Sequence, residues 1–138
     1  MSPSRFAVVM YVIGAVSAFV AVAAAALTSH GLQGLAPIGE QAVEWFKIAT
    51  NFQLTHTLGL ILVTALGERF GEGRARLVMY AAAINLTAGA VLFPTALYSL
   101  SFNGPGFWAP LGGTAAMIGW ALFGVGAVMA GRKKKKSS

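Results

Sequence analysis

The hydrophobic and polar positions along the chain mark out four long apolar runs, at residues 6–28, 46–67, 77–100 and 107–131, separated by short polar or glycine-rich interruptions. A bilayer core is about 30 Å thick, so a crossing helix needs roughly 20 apolar residues, and each run is long enough. Residues 77–131 carry no charge and are too long for one crossing, but Asn103-Gly104-Pro105-Gly106 interrupts them near the middle. Lipid offers backbone groups no partners, and four short strands cannot close a barrel, so each run is expected to be a helix. The pattern predicts an all-α integral membrane four-helix bundle. Residues 1–131 form one transmembrane domain and residues 132–138 a basic tail.

Composition agrees. Of 138 residues, 57% are hydrophobic and 10% charged, against about 25% charged in soluble domains. That balance excludes a soluble enzyme domain, a disordered chain and a coiled coil. The absence of cysteine excludes disulfides, iron–sulfur clusters and cysteine–zinc sites. The first run begins after Arg5 and ends near the small residues Ala23 to Ala26, as a signal peptide would. It exceeds the roughly 7–15 apolar residues of such a peptide, so a retained helix is expected.

Charge sets the expected orientation. Nine of the ten basic residues fall on one side: Arg5, then Arg69, Arg74 and Arg76, then Arg132, Lys133, Lys134, Lys135 and Lys136. Only Lys47, beside Glu40 and Glu44, falls on the other. The positive-inside rule then places both termini in the cytoplasm. Trp45 and Trp108 sit at the expected outer ends of the second and fourth spans, where indole anchors at the lipid boundary. The lysine tail would attract anionic lipid at about 1 kcal/mol per basic residue, or act as a stop-transfer anchor. It has no aromatic interleaving and no folded basic face, so nucleic acid is not an expected partner.

Gly31 and Gly34 give the first connection its turns, with Gly31 in the position that ends helix one. Pro37 suits the first turn of a helix starting near Ile38; a short helix on the outer surface is the alternative. Glu44 and Lys47 can pair across one turn. The second connection, residues 67–76, reads as a solvated cytoplasmic loop turned by Gly71 and Gly73.

In lipid, helices associate through close backbone contact and polar pairing. Candidate contact pairs are Gly14 with Ala18, Ala21 with Ala25, Gly112 with Ala116, Ala115 with Gly119, and Ala127 with Gly131; helix three offers Ala81, Asn85 and Gly89. Pro94 is expected to kink helix three or widen a turn, with Thr95 or Ser99 serving the freed carbonyl.

Polar groups inside a membrane call for explanation. At 100° per residue, Gln53, His56, Thr57 and Thr64 share a sector about 100° wide, which should turn inward. Thr50 and Asn51 lie on other faces, and Asn85 would stand opposite the stripe. His56, Gln53, Thr57, Asn85 and His30 form the candidate intramembrane polar cluster. His56 reads as a neutral imidazole paired with Gln53 or a helix-one carbonyl, or else as a proton carrier, metal ligand or haem ligand. His30 reads as a helix C-terminal residue, or as the rim of a shallow outer pocket. A site shared with His56 would need a re-entrant turn, because the two lie at different depths. No metal, cofactor or catalytic group is assigned.

Several segments together resemble the YgdD/YwdK-type family of small membrane proteins. They are Ala26-Leu27-Thr28-Ser29-His30-Gly31-Leu32; Trp45 and Phe52-Gln53-Leu54-Thr55-His56 with the leucine-rich stretch 58–62; Leu92-Phe93-Pro94-Thr95-Ala96-Leu97-Tyr98; and Pro110-Leu111-Gly112-Gly113 followed by Gly119-Trp120. The sequence departs from the family at Thr28 and Ser29, where smaller residues are usual, and at Pro94-Thr95-Ala96, where Ser and Gly are. The resemblance implies a four-helix protein of the bacterial inner membrane, with no established reaction. His30, Gly31, Gln53 and His56 match the family's polar signature.

Three functions from different classes follow. The first is a non-catalytic membrane component or accessory subunit of a larger assembly, with the bilayer and other membrane subunits as partners. The second is a carrier or channel for a small solute or proton along the helix-two stripe. The third is a haem- or metal-binding redox protein using His30 and His56. Small size, small-residue faces and the lack of a catalytic constellation favour the first.

Overall fold

The computed structural model describes residues 2–31 and 39–134, without the side chains of His30, Lys133 and Lys134. Four helices follow in order: α1 Arg5–His30, α2 Glu40–Phe70, α3 Gly73–Ser101 and α4 Ala109–Lys134. The Ser4 hydroxyl caps α1 by accepting from the Ala7 N–H at 3.1 Å. α1 closes with the Gly31 N–H on the Leu27 carbonyl. Gly31 stands where the helix ends, as its position led one to expect, with φ −160°. Gly34, Pro37 and the helix start expected near Ile38 lie outside the described residues, as do Lys135 and Lys136; α2 begins at Glu40 after an extended Gly39.

The connection expected over residues 67–76 shrinks to Gly71 and Glu72, because α2 continues to Phe70 and α3 starts at Gly73. Gly73 adopts φ 48°, where a side chain would be strained. Asn103 takes φ 59° at the end of α3, and the Gly104 N–H returns to the Ser99 carbonyl at 2.8 Å. The expected break in the long charge-free stretch therefore falls where the Asn-Gly-Pro-Gly cluster stands.

By length and composition α1, α3 and α4 are apolar enough to cross a membrane. α2 is more polar because Thr50, Asn51, Gln53, Thr55, His56 and Thr57 crowd its middle. It packs extensively on α3 and less extensively on α1; α4 packs on α3 and meets α2 only marginally, and α1 and α4 make at most a passing contact. Leu60, Val63, Met79, Ala82, Ala83 and Leu86 form the core of the central pair, and Met10 reaches it from α1.

Small residues set the flanking contacts, in a seven-residue rather than a four-residue rhythm. α1 buries Ala7, Met10, Gly14, Ser17, Ala21 and Ala24. α4 meets α3 through Gly112 on Phe93, Ala116 on Gly89, Gly119 on Leu86 and Gly126 on Met79, an antiparallel seam of constant register. Some expected pairs are therefore corrected: Ala25 and Ala127 are exposed, and Gly131 has nothing near its α-carbon. The expected Gly112–Ala116 pair holds, with both residues on α3, whereas Ala21–Ala25 keeps only its first member and Ala127–Gly131 neither. Pro94 sits fully buried in a helix that stays α-helical through it. The Thr95 hydroxyl bonds the Val91 and Leu92 carbonyls, next to the Ala90 carbonyl that proline leaves free.

Candidate functional site: a polar network and an aromatic ladder

Ser17 is the only hydroxyl in α1 between Tyr11 and Thr28. The seven-residue face turns it toward α2, where its hydroxyl lies 2.7 Å from that of Thr57. The Gln53 amide donates to the Ser17 carbonyl at 3.2 Å and to its hydroxyl at 3.3 Å. The Tyr98 hydroxyl of α3 donates to the Gln53 amide oxygen at 2.9 Å, and Thr50 stands 3.2 Å from that hydroxyl. The chain Thr57–Ser17–Gln53–Tyr98–Thr50 thus ties three helices together. Thr64 is fully buried and bonds the Leu60 carbonyl of its own helix. Each buried side-chain N or O atom among the described residues has a partner.

This network corrects the expected cluster. Gln53 and Thr57 belong to it, but His56 and Asn85 do not. Asn85 donates to the Ala81 carbonyl one turn back, on its own helix. His56 is half-buried and bonds the Phe52 carbonyl through Nδ1 at 2.8 Å, not Gln53 or a carbonyl of α1. It points toward Trp120 of α4, because a 100° sector is wider than one interhelical seam and α2 is shared between α1 and α3, with Trp120 reaching it at one edge. Thr50, expected on another face, is buried and joins the network. The His30 side chain lies outside the described residues. Register alone puts residue 30 about 11 residues from the level of His56, roughly 17 Å along the axis.

His56 occupies the middle of an aromatic ladder. Phe93 stacks on Phe52 at 4.1 Å, Phe52 on His56 at 3.9 Å, His56 meets Trp120 edge-on at 6.2 Å, and Trp120 meets Phe123 at 6.3 Å. Gly59 lets Trp120 lie against α2, since a Cβ there would stand 2.9 Å from its ring. Trp45 and Trp108 pack together against Ala49, Ala96 and Leu97, and the Trp108 N–H donates to Thr95 at 3.3 Å.

At the end of the bundle holding Arg5, Arg69, Arg74, Arg76 and Arg132, Glu68 fastens α1. Its carboxylate accepts from the Ser4 N–H and hydroxyl, both at 2.9 Å, and from the Tyr80 hydroxyl. Phe6 stacks on Tyr80 at 4.0 Å. Those donors, the Tyr80 hydroxyl foremost and then the Ser4 N–H, hold the Glu68 carboxyl below the usual carboxylate range, with Arg76 adding to them. The reading of this charge as part of a solvated loop missed the clasp. The signal available was Ser4 with Phe6 at one end of α1, at the same depth as Glu68 and Tyr80.

At the opposite end, an open cleft of about 340 Å³ lies between α1 and α2, lined by Ala25, Thr28, Ser29, Lys47, Thr50 and Asn51. The hydroxyls of Thr28, Ser29 and Thr50 donate to carbonyls of their own helices.

Comparison with known proteins gives a consistent picture. Residues 24–113 match the family model described as "Protein of unknown function (DUF423)". The chain is 32% identical over 133 residues to the UPF0382 inner membrane protein YgdD of Escherichia coli K12, covering 94% of this chain and 95% of the relative. It is 33% identical over 124 residues to the UPF0382 membrane protein YwdK of Bacillus subtilis, covering 87% and 96%. A UPF0382 membrane protein of Haemophilus influenzae is 33% identical over 115 residues, covering 81% and 87%. No solved structure matches the chain. With its four apolar-seamed helices and these full-length relatives, the chain belongs to the DUF423 family, the UPF0382 membrane proteins of unknown function.

Proposed function

We propose that this protein is a non-catalytic accessory subunit of a larger assembly in the bacterial inner membrane, with both termini in the cytoplasm. The observation that carries the reading is the closed network Thr57–Ser17–Gln53–Tyr98–Thr50. A transport pathway needs polar side chains facing a wet lumen. Here the buried hydroxyls and amide satisfy one another and lock helices in register. The outward face of α1, with Val12, Val16, Phe19 and Val22 exposed, is left for lipid or a neighbouring subunit.

The test is isolation in lipid nanodiscs drawn from the native membrane, followed by mass spectrometry and by flux assays in proteoliposomes. A stoichiometric membrane partner, lost on Phe19→Lys, is expected, with no flux above empty vesicles. A solitary protein that moves solute or protons would overturn the proposal.

The orientation rests on the arginine-rich end of the bundle and the positive-inside rule. Because the chain lacks cysteine, an introduced thiol reports alone. In sealed right-side-out vesicles Glu40→Cys should react with an impermeant maleimide and Ser2→Cys should not. The reverse pattern refutes the orientation.

A further inference from the structure

We propose that the α2–α4 face of this protein binds a lipid-soluble hydroquinone, a flat ring bearing hydroxyls and a hydrocarbon tail, through the unpartnered nitrogen of His56. The argument starts from the proton on the imidazole. Nδ1 lies 2.8 Å from the Phe52 carbonyl oxygen. A carbonyl oxygen only accepts, so Nδ1 carries the hydrogen and donates it. In the neutral ring Nε2 then holds a lone pair. Among the described residues no hydrogen bond reaches Nε2, and none reaches the indole N–H of Trp120, whose ring meets the imidazole edge-on at 6.2 Å. Nε2 is not sealed within the protein, since every buried side-chain N and O of the half-buried and buried residues described is paired. Nε2 is left to the hydrocarbon, where lipid tails offer no partner and an unmet polar group is costly.

The missing partner must dissolve in hydrocarbon. It must donate to Nε2, which a hydroxyl does. The surroundings favour a flat ring: Phe93, Phe52, His56, Trp120 and Phe123 follow one another as a ladder, and Trp120 is 38% exposed. Aromatic rings recognise such a face by offset or edge contact. The geometry also selects an oxidation state. A hydroquinone offers O–H, whereas the quinone offers only carbonyl oxygens and cannot donate to Nε2. Binding alone is inferred, and it goes beyond the accessory-subunit reading without resting on it, because that reading stands on the Ser17–Gln53–Tyr98 network.

The experiment uses the full chain in lipid nanodiscs with Trp45→Phe and Trp108→Phe, so that Trp120 alone reports. It is titrated with a decyl-substituted benzohydroquinone and with the corresponding benzoquinone, and half-saturation of the change in Trp120 emission is read. Half-saturation by the hydroquinone is expected at a concentration at least about fivefold lower, one hydrogen bond's worth. His56→Phe, which keeps the ring and removes the nitrogens, should erase the difference. Equal half-saturation, emission that falls without saturating, or a preference that survives His56→Phe overturns the proposal.

A second measurement needs no substitution at position 56. In protein labelled with ¹⁵N-histidine, the free-acceptor Nε2 resonance of His56 should move on adding the hydroquinone and stay on adding the quinone. If protein in lipid free of quinone and hydroquinone shows no free-acceptor resonance before any addition, the position is already filled and the proposal fails.

Discussion

The α3–α4 seam makes a quantitative prediction with opposite signs at two glycines of one helix. A Cβ built on Gly112 would lie 2.3 Å from the Phe93 backbone nitrogen and 2.8 Å from its Cα. Backbone cannot rotate away as a side chain can, so α3 and α4 must part by about an ångström to restore van der Waals contact. Overpacking of this kind costs roughly 1–3 kcal/mol. Gly112 lies in the first turn of α4, so little of the helix-propensity gain offsets that cost. Gly124, on the same helix, has nothing within 4 Å. Alanine there gains up to about 0.8–1 kcal/mol of helix propensity and meets no obstacle. Gly112→Ala should therefore lose about 1–2 kcal/mol while Gly124→Ala gains up to about 1 kcal/mol, from the same chemical change. Reversible unfolding in mixed detergent micelles, followed by tryptophan emission, measures both. If Gly112→Ala proved as stable as Gly124→Ala, the close approach of α4 to Phe93 would not be what holds this seam.

Other consequences follow from the network and the clasp. Ser17→Ala removes a partner of both Thr57 and Gln53 and should destabilise the protein by about 1–3 kcal/mol in the same unfolding assay; a loss below the error of that assay would deny the network its role. Glu68 titrates below its ordinary range in the folded protein, so its stabilisation is fully present above about pH 4.5 and fades as pH falls through the lowered value. Melting temperature should be flat above that pH and fall below it. Glu68→Gln should melt lower at neutral pH and show a smaller acid slope, and an unchanged slope would assign the acid sensitivity elsewhere. Phe6→Ala, which removes the ring stacked on Tyr80, should quicken proteolysis ahead of α1 while leaving Ser17–Thr57 pairing intact. Protection equal to wild type would mean that Glu68 alone holds that end.

Much of the architecture was legible in the linear chain because lipid is a demanding solvent. A charge-free run of the right length has one stable conformation there, so the four helices and the break at Asn103–Gly106 could be read from hydropathy and turn residues alone. The concentration of arginine at one end is likewise a property of spacing. The inner face of each helix was not legible. Gln53, His56 and Thr57 lie within one sector of α2, yet Gln53 and Thr57 meet Ser17 while His56 turns toward Trp120. Side-chain periodicity resolves a face only to about the width of a sector, and a helix packed between two neighbours, with a side chain of a third at its edge, divides that sector among different partners. The glycines behave alike in sequence, but the register of α3 decided that Gly112, Gly119 and Gly126 make contact while Gly124 and Gly131 face outward. Glu68 looked like a loop charge until the turn proved only two residues long and brought Ser4 and Tyr80 to it. Hydropathy is a property of each stretch by itself, whereas contact depends on two helices at once. The one could be summed along the chain, and the other came into being only when the helices met.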